Sequence, residues 1–165
     1  MHAPPTDATL LQQIDDCLRR DGATPANLQA VLDQVLSHMG GNVGTIHLWD
    51  PASGMLRLAA QRGVPESLLP KVAVIPLGKG MAGQAAEKRQ SVRVCNLQTD
   101  CSGAAEPRAE ETGVQGSIAV PMLVSGSVRG VLGVAKAAAH DFDESEVRLL
   151  EVIATRVGEA FVSEG

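Results

Sequence analysis

Three cysteines and four histidines are the side chains of this 165-residue chain that could carry nucleophilic, redox or metal chemistry. Cys95 and Cys101 stand at the start of a long polar stretch, where thiols can reach solvent. The five residues between them can curl far enough for disulfide geometry. The pair is a candidate reversible disulfide, set against the plainer reading of two small apolar side chains. His47 alternates with Trp49 along one strand face and reads as a core or interface histidine. His2 at the terminus, His38 near a helix end and His140 in a loop read as solvated. No His-x-x-x-His, Cys-x-x-Cys or acid-rich glycine loop is present, so no metal site is expected. No Gly-x-Ser-x-Gly elbow presents a nucleophile, and Glu106 to Glu111 reads as a solvated face of alternating charge.

A second kind of chemistry belongs to the backbone. Ile75 to Ala86 reads as a strand that ends in Gly78 and Gly80 and turns into a helix starting near Met81, with Gly83 letting that helix lie close to what is beneath it. Free N–H groups at such a helix start can meet a polar ligand group. The stretch lacks both GxxxxGK[ST] and a full GxGxxG, so a nucleotide-phosphate site is not expected.

The elements that position these residues follow from periodicity. Leu10/Leu11, Ile14 and Cys17/Leu18 recur at helical spacing, and Gly22 ends that segment. Thr24-Pro25 is a cap followed by proline at the first helical position. Leu28, Val31, Leu32, Val35, Leu36 and Met39 then stripe a second helix that ends at Gly40-Gly41. Asn42 to Asp50 and Met55 to Gln61 flank the turn Pro51-Ala52-Ser53-Gly54 and form a first hairpin. Apolar residues on both faces predict a sheet covered on each side. Pro65 to Pro70 reads as a helical turn, Val72 to Leu77 and Ser91 to Val94 as short strands, and Asn96 to Gly113 as a long polar connection with a helical turn near Glu106 to Glu111. Gly116 to Val124 and Val128 to Ala135 form a second hairpin. Asp143 caps a wide apolar helix running past Phe161.

Composition bounds the function. The length suits one domain with a real core, the apolar fraction of 44% is ordinary, and the net charge of −5 with no basic cluster argues against nucleic acid or an anionic membrane as partner. No long apolar run or signal-peptide pattern is present and the cysteine count is odd, so a cytoplasmic, reducing setting is expected.

Thr45 to Leu58, Gly63-Val64-Pro65, Gly80-Met81-Ala82-Gly83 with Ser91 to Val94, Ser117 to Met122, Gly130 to Val134 and Asp141-Phe142-Asp143 occur in an order and spacing that resembles a GAF domain, a sensory and regulatory small-molecule-binding module. The resemblance covers roughly residues 24 to 162. It implies an α/β (α+β) fold: an antiparallel sheet of five or six strands, terminal helices on one face, and the corner helix and long loop over a pocket on the other. Residues 1–22 are read as an N-terminal amphipathic helix and 23–165 as the GAF domain.

One subgroup of the family, the free methionine-(R)-sulfoxide reductases, uses loop cysteines. It carries cysteine in the corner where this chain has Ala82, a glutamate where it has Ser117, two aspartates where it has Gly133 and Ala135, and an aromatic pair where it has Asn42 and Ile46. A non-enzymatic sensor is therefore expected, with a redox-active enzyme or thiol sensor using Cys95 and Cys101 as the alternative. The cyclic-nucleotide constellation of the family is absent, Cys95 and Cys101 are not followed by histidine as in bilin-binding members, and one Trp, two Phe and no Tyr leave little for a planar-cofactor cage. No cofactor is expected.

The expected pocket draws on Asn42, Gly44, Ile46, Met81, Ala82, Cys95, Asn96, Ser117, Ala119 and Gly133, and takes an unidentified, largely apolar small molecule with an anionic end. Homodimerisation through the terminal helices, with Leu10, Leu11, Ile14, Cys17 and Leu18 as the sticky stripe, passes the signal to a downstream protein or output domain.

Overall fold

The computed structural model describes residues 7–22, 24–94, 116–138, 140 and 142–164. Cys95, Asn96, Cys101, His2 and the expected helical turn at 106–111 lie outside them.

Two helices open the chain, α1 (Asp7–Asp21) and α2 (Pro25–Met39). The Thr24 side chain accepts from the Asn27 N–H at 3.2 Å, so the Thr-Pro start works as the sequence predicts. Gly40 ends α2 in the left-handed region, its N–H closing on the Leu36 carbonyl. The strands are β1 (Val43–Asp50), β2 (Met55–Arg62), β3 (Val74–Pro76), β4 (Val92–Val94), β5 (Gly116–Val124) and β6 (Ser127–Lys136). A short α3 (Leu69–Val72) precedes β3, and α4 (Gly80–Lys88) lies between β3 and β4. The last helix, α5 (Glu144–Glu164), starts from a reciprocal cap: Asp143 Oδ1 accepts from the Glu146 N–H at 2.8 Å, and Glu146 Oε1 from the Asp143 N–H at 3.0 Å.

The strands form one six-stranded antiparallel sheet in the order β3-β2-β1-β6-β5-β4, so each hairpin is local and the two meet through β1 and β6. Expected strand 72–77 is shorter than its sequence span. Pro70 sits in the first turn of α3 and favours helix there, and the Val72 carbonyl is taken by a side chain instead of a ladder.

One face of the sheet carries Ile46, Ala60, Ile118, Val120, Met122, Leu132 and Val134, all buried against α1, α2 and α5. Leu28, Val31, Leu32 and Val35 of α2 and Leu150, Ile153, Ala154 and Val157 of α5 supply the opposing layer. The other face holds a smaller cluster of Leu56, Ala119 and Val131 under Ala85 and Ala86 of α4. Both faces therefore carry a buried apolar cluster, as the two-sided apolar pattern of the first hairpin implies.

The first helix belongs to the same core. Leu10 is 1%, Ile14 0% and Leu18 7% exposed, and all three join the main cluster. The stripe read as a free, sticky surface is thus covered within the chain by α2 and α5, because the hydrophobic gain of closing it on its own domain needs no second molecule. Arg156 of α5 also reaches Asp15 of α1.

Ile14→Ala is expected to lower stability by about 2–5 kcal/mol, the range for a large-to-small change at a fully buried site. Urea unfolding followed by circular dichroism reads it; a loss within error of zero would place α1 off the core.

Candidate functional site

The corner before α4 is built by glycine geometry. Gly78 and Gly80 have φ of +82° and +62°, and a Cβ at Gly83 would stand 2.5 Å from the Pro76 carbonyl oxygen. The Gly78 N–H donates to the Gly83 carbonyl at 2.9 Å, and the Gly83 N–H to Lys79 at 3.0 Å. Strand end and helix are thereby pinned together, and α4 lies across β5 and β6 with Ala85 and Ala86 inward. Met81 and Ala82, in its first turn, are half-buried against the same cluster.

Strand register decides what lies beneath α4. Thr45 of β1 pairs with Gly133 of β6, Gly133 with Ala119 of β5, and Ala119 with Val92 of β4. Partners across an antiparallel ladder share a face, so Thr45, Gly133, Ala119 and Val92 form one row. Ser117 and Ala135, also paired, belong to the same face, as do His47 and Val131. A Cβ at Gly133 would stand 2.8 Å from Thr45 Oγ1, so glycine here lets the hydroxyl stand over the floor.

The structure thus brings Ser117, Ala119, Gly133, Met81 and Ala82 together. Gly44 and Ile46 are on the opposite face: Gly44 pairs with Val134, Ile46 with Leu132, and a Cβ at Gly44 would meet Leu32 Cδ1 of α2 at 2.8 Å. Their expected placement under the corner helix is corrected by one residue, with Thr45 and His47 taking their positions. Asn42 has a structural task at the sheet end. Its N–H donates to the Ala135 carbonyl and its Oδ1 accepts from the Ala137 N–H, each at 2.8 Å.

His47 is the residue that sequence reasoning undervalued. It is 1% exposed, and its Nε2 lies 2.8 Å from the Val72 carbonyl at the end of α3. A carbonyl only accepts, so Nε2 carries the proton and donates. Burial pushes the imidazole below its ordinary value, with the Val72 bond drawing it partly back. Nδ1 is then a buried lone pair without a donor, a situation costing on the order of 1–3 kcal/mol. Its signal in the sequence was a polar side chain alternating between Thr45 and Trp49 in an otherwise apolar strand. The other two described histidines are partnered, not solvated: His38 Nε2 lies 2.8 Å from Asp7, and His140 Nε2 3.0 Å from Glu146, its ring edge-on to Phe142.

Among the described residues no cluster of three or more His, Cys, Asp or Glu could hold a metal ion, and Cys17 is a single half-buried thiol. No described helix is long and apolar enough to cross a membrane.

With the sheet order, the glycine corner and the helices on both faces established, a sequence profile of the GAF domain matches residues 26–162. The chain belongs to the GAF-domain family. No protein of curated function matches its sequence. The GAF domain of a phosphoenolpyruvate-protein phosphotransferase from Coxiella burnetii superposes with a TM-score of 0.81 at 18% identity, covering 95% of this chain and 93% of that one. The corresponding domain from Acinetobacter gives 0.79 at 21%, covering 93% and 91%. The free methionine-R-sulfoxide reductase of Neisseria meningitidis, in complex with its substrate, gives 0.78 at 24%, covering 99% and 94%. At these identities the likeness is one of fold, and this GAF domain shares it with GAF domains of phosphotransferases and with a reductase alike.

The depressed His47 value makes the GAF domain's stability depend on pH. Below the ordinary histidine value of 6.5 the unfolded chain takes up a proton that the folded chain refuses. This contribution is therefore complete above about pH 6.5 and is lost as pH falls toward the folded value. Thermal melts from pH 7.5 to 5 should show a falling midpoint that is flatter in His47→Phe; equal slopes in both proteins would contradict the assignment.

Proposed function

We propose that this GAF domain is a non-enzymatic regulatory module that binds a small molecule on the sheet face beneath α4. The observation that carries the reading is the chemistry of that floor. Thr45, Ser117, Ala119, Gly133 and Ala135 are small and uncharged, and α4 adds Met81 and Ala82. These floor residues include no thiol or carboxylate to act as nucleophile or acid, and the reductase-like subgroup would need both at Ala82, Ser117, Gly133 and Ala135. Small residues under a pinned helix leave space for a ligand, and the half-buried Met81 side chain lies against it as a movable plug.

Release of a small molecule from the purified protein on passing from native to denaturing mass spectrometry is the expected result. Gly133→Leu, which fills the floor and displaces Thr45 Oγ1, should lose the ligand while keeping its circular dichroism spectrum. Supplied with free methionine-(R)-sulfoxide and a dithiol reductant, the protein should consume neither. Turnover would replace this reading with the enzymatic one, in which Cys95 and Cys101 are the candidate thiols.

The signal is proposed to leave through the terminal helices. Between α1 and α5 runs an open groove of about 970 Å³ lined by Arg19, Arg148, Glu151, Val152, Thr155 and Glu159 among others. Its mixed charges can pair with those of a second copy across a two-fold axis. Light scattering at tens of micromolar protein should give a dimer, weakened in Val152→Glu; a monomer removes association from the reading.

A further inference from the structure

His47 is the buried polar side chain of the described core, and half of its hydrogen-bonding capacity is used. It leaves β1 on the same face as Thr45, two residues away. Val131 stands beside it on β6, as Gly133 stands beside Thr45. The ring and the small row Thr45–Gly133–Ala119 therefore belong to one continuous floor. Along that floor the backbone groups are paired in the ladders, so the groups that give it polarity are the Thr45 and Ser117 hydroxyls and the His47 Nδ1 lone pair, and of these Nδ1 is a pure acceptor.

We propose that Nδ1 of His47 is the acceptor for a small neutral ligand carrying an N–H or O–H donor, seated on the Thr45–Gly133–Ala119 row once the Met81 side chain swings aside. The proposal rests on the reading of this face as a ligand floor. The donor requirement follows from the fixed tautomer. A ligand carbonyl or carboxylate could be met by Nδ1 only if a second proton charged the ring, which its burial opposes, or if the ring proton moved there. The Nε2 lone pair would then face the Val72 carbonyl oxygen at 2.8 Å, acceptor against acceptor. A cation would bring a charge beside a buried ring on a floor that offers no carboxylate to pair with it. A neutral donor instead leaves the Nε2–H to Val72 bond in place and satisfies the ring nitrogen left without a partner.

In the structure Nδ1 is sealed from solvent, so the site opens only with movement of its cover. Met81 is the adaptable side chain that α4 brings to this face. It packs against the cluster that Ala119 and Val131 help form, and an unbranched thioether can rearrange without disturbing α4. The anionic ligand end expected from the α4 N–H groups is replaced here by a donor directed at the sheet.

A matched pair of probes separates the outcomes: 2-pyrrolidinone, which has an N–H, and N-methyl-2-pyrrolidinone, which has none. Protein labelled with ¹⁵N in histidine and ¹³C in the Ala, Val and Met methyls is titrated with each, in wild type, Met81→Ala and His47→Phe. The expected result is a neutral His47 protonated at Nε2, and shifts at the Ala119 and Val131 methyls and at Nδ1 with 2-pyrrolidinone. N-methyl-2-pyrrolidinone should bind about tenfold more weakly, the loss of one hydrogen bond to a buried acceptor. Met81→Ala should tighten both, and His47→Phe should abolish the preference. Equal binding of the two probes in wild type, a preference that survives in His47→Phe, or a ring protonated at Nδ1 overturns the donor inference while leaving the floor in place. Methyls of Ala119 and Val131 that stay still with both probes, even in Met81→Ala, overturn the floor and the inference with it. Should His47→Phe fail to fold, the wild-type tautomer and probe preference decide alone.

Discussion

The pairing of β1 with β6 is the contact on which the rest of the molecule depends. It joins two local hairpins into one sheet and fixes Thr45 opposite Gly133 and Ile46 opposite Leu132. Because side chains alternate with a period of two, that register sends every odd-numbered residue from 45 to 49 to one face and Gly44 and Ile46 to the other. Ile118, Val120, Met122, Leu132 and Val134 meet the terminal helices, leaving Ala119, Val131 and Gly133 on the face of α4. A slip of one residue would bury His47 among the leucines of the main core and put Ile46 on the floor.

The floor is kept in reach of the corner helix by contacts that tolerate almost no added volume. Gly83 lies so close to the Pro76 carbonyl that a single Cβ would force the strand end and the helix apart. The bonds from the Gly78 N–H to the Gly83 carbonyl and from the Gly83 N–H to the Lys79 carbonyl hold that approach. Upstream, the His47–Val72 bond secures α3 to the middle of the sheet, so the segment that feeds the corner is tied down at both ends. One side chain thus serves two purposes: its Nε2 orders the chain before the corner, and that same bond fixes the tautomer that leaves Nδ1 an acceptor.

The opposite face is organised for stability. Leu10, Ile14 and Leu18 of α1 close over α2 and α5 instead of waiting for a partner, and the ion pair between Arg156 and Asp15 spans the same seam. What the terminal helices still present outward is mixed in charge, with Leu18, Val152 and Ala160 the apolar side chains of the groove. The fold therefore separates a layer braced by α1, α2 and α5 from a smaller one on the opposite face, where α4 covers small side chains and α3 meets a polar histidine.

Much of this was legible in the residues themselves. Thr24-Pro25, Gly40 and the Asp143–Glu146 box mark helix ends because capping depends on a few adjacent residues, and the hairpins at Pro51–Gly54 and Ser125-Gly126 follow from turn chemistry of the same range. The two-sided apolar pattern of β1 showed that its sheet would be covered on both faces, and the glycine corner announced itself by spacing. Tertiary structure decided the rest. Which face of β1 lies under α4 depends on its alignment with residues some ninety positions away, and no local pattern states that register. Whether the Leu10–Leu18 stripe meets its own domain or another copy depends on whether α2 and α5 leave an apolar seam at the right distance. Whether His47 is solvated, satisfied or half-satisfied depends on a carbonyl brought to it by α3. Sequence records what each residue can do; only the assembled sheet determines which capacity is met by a partner and which is left open.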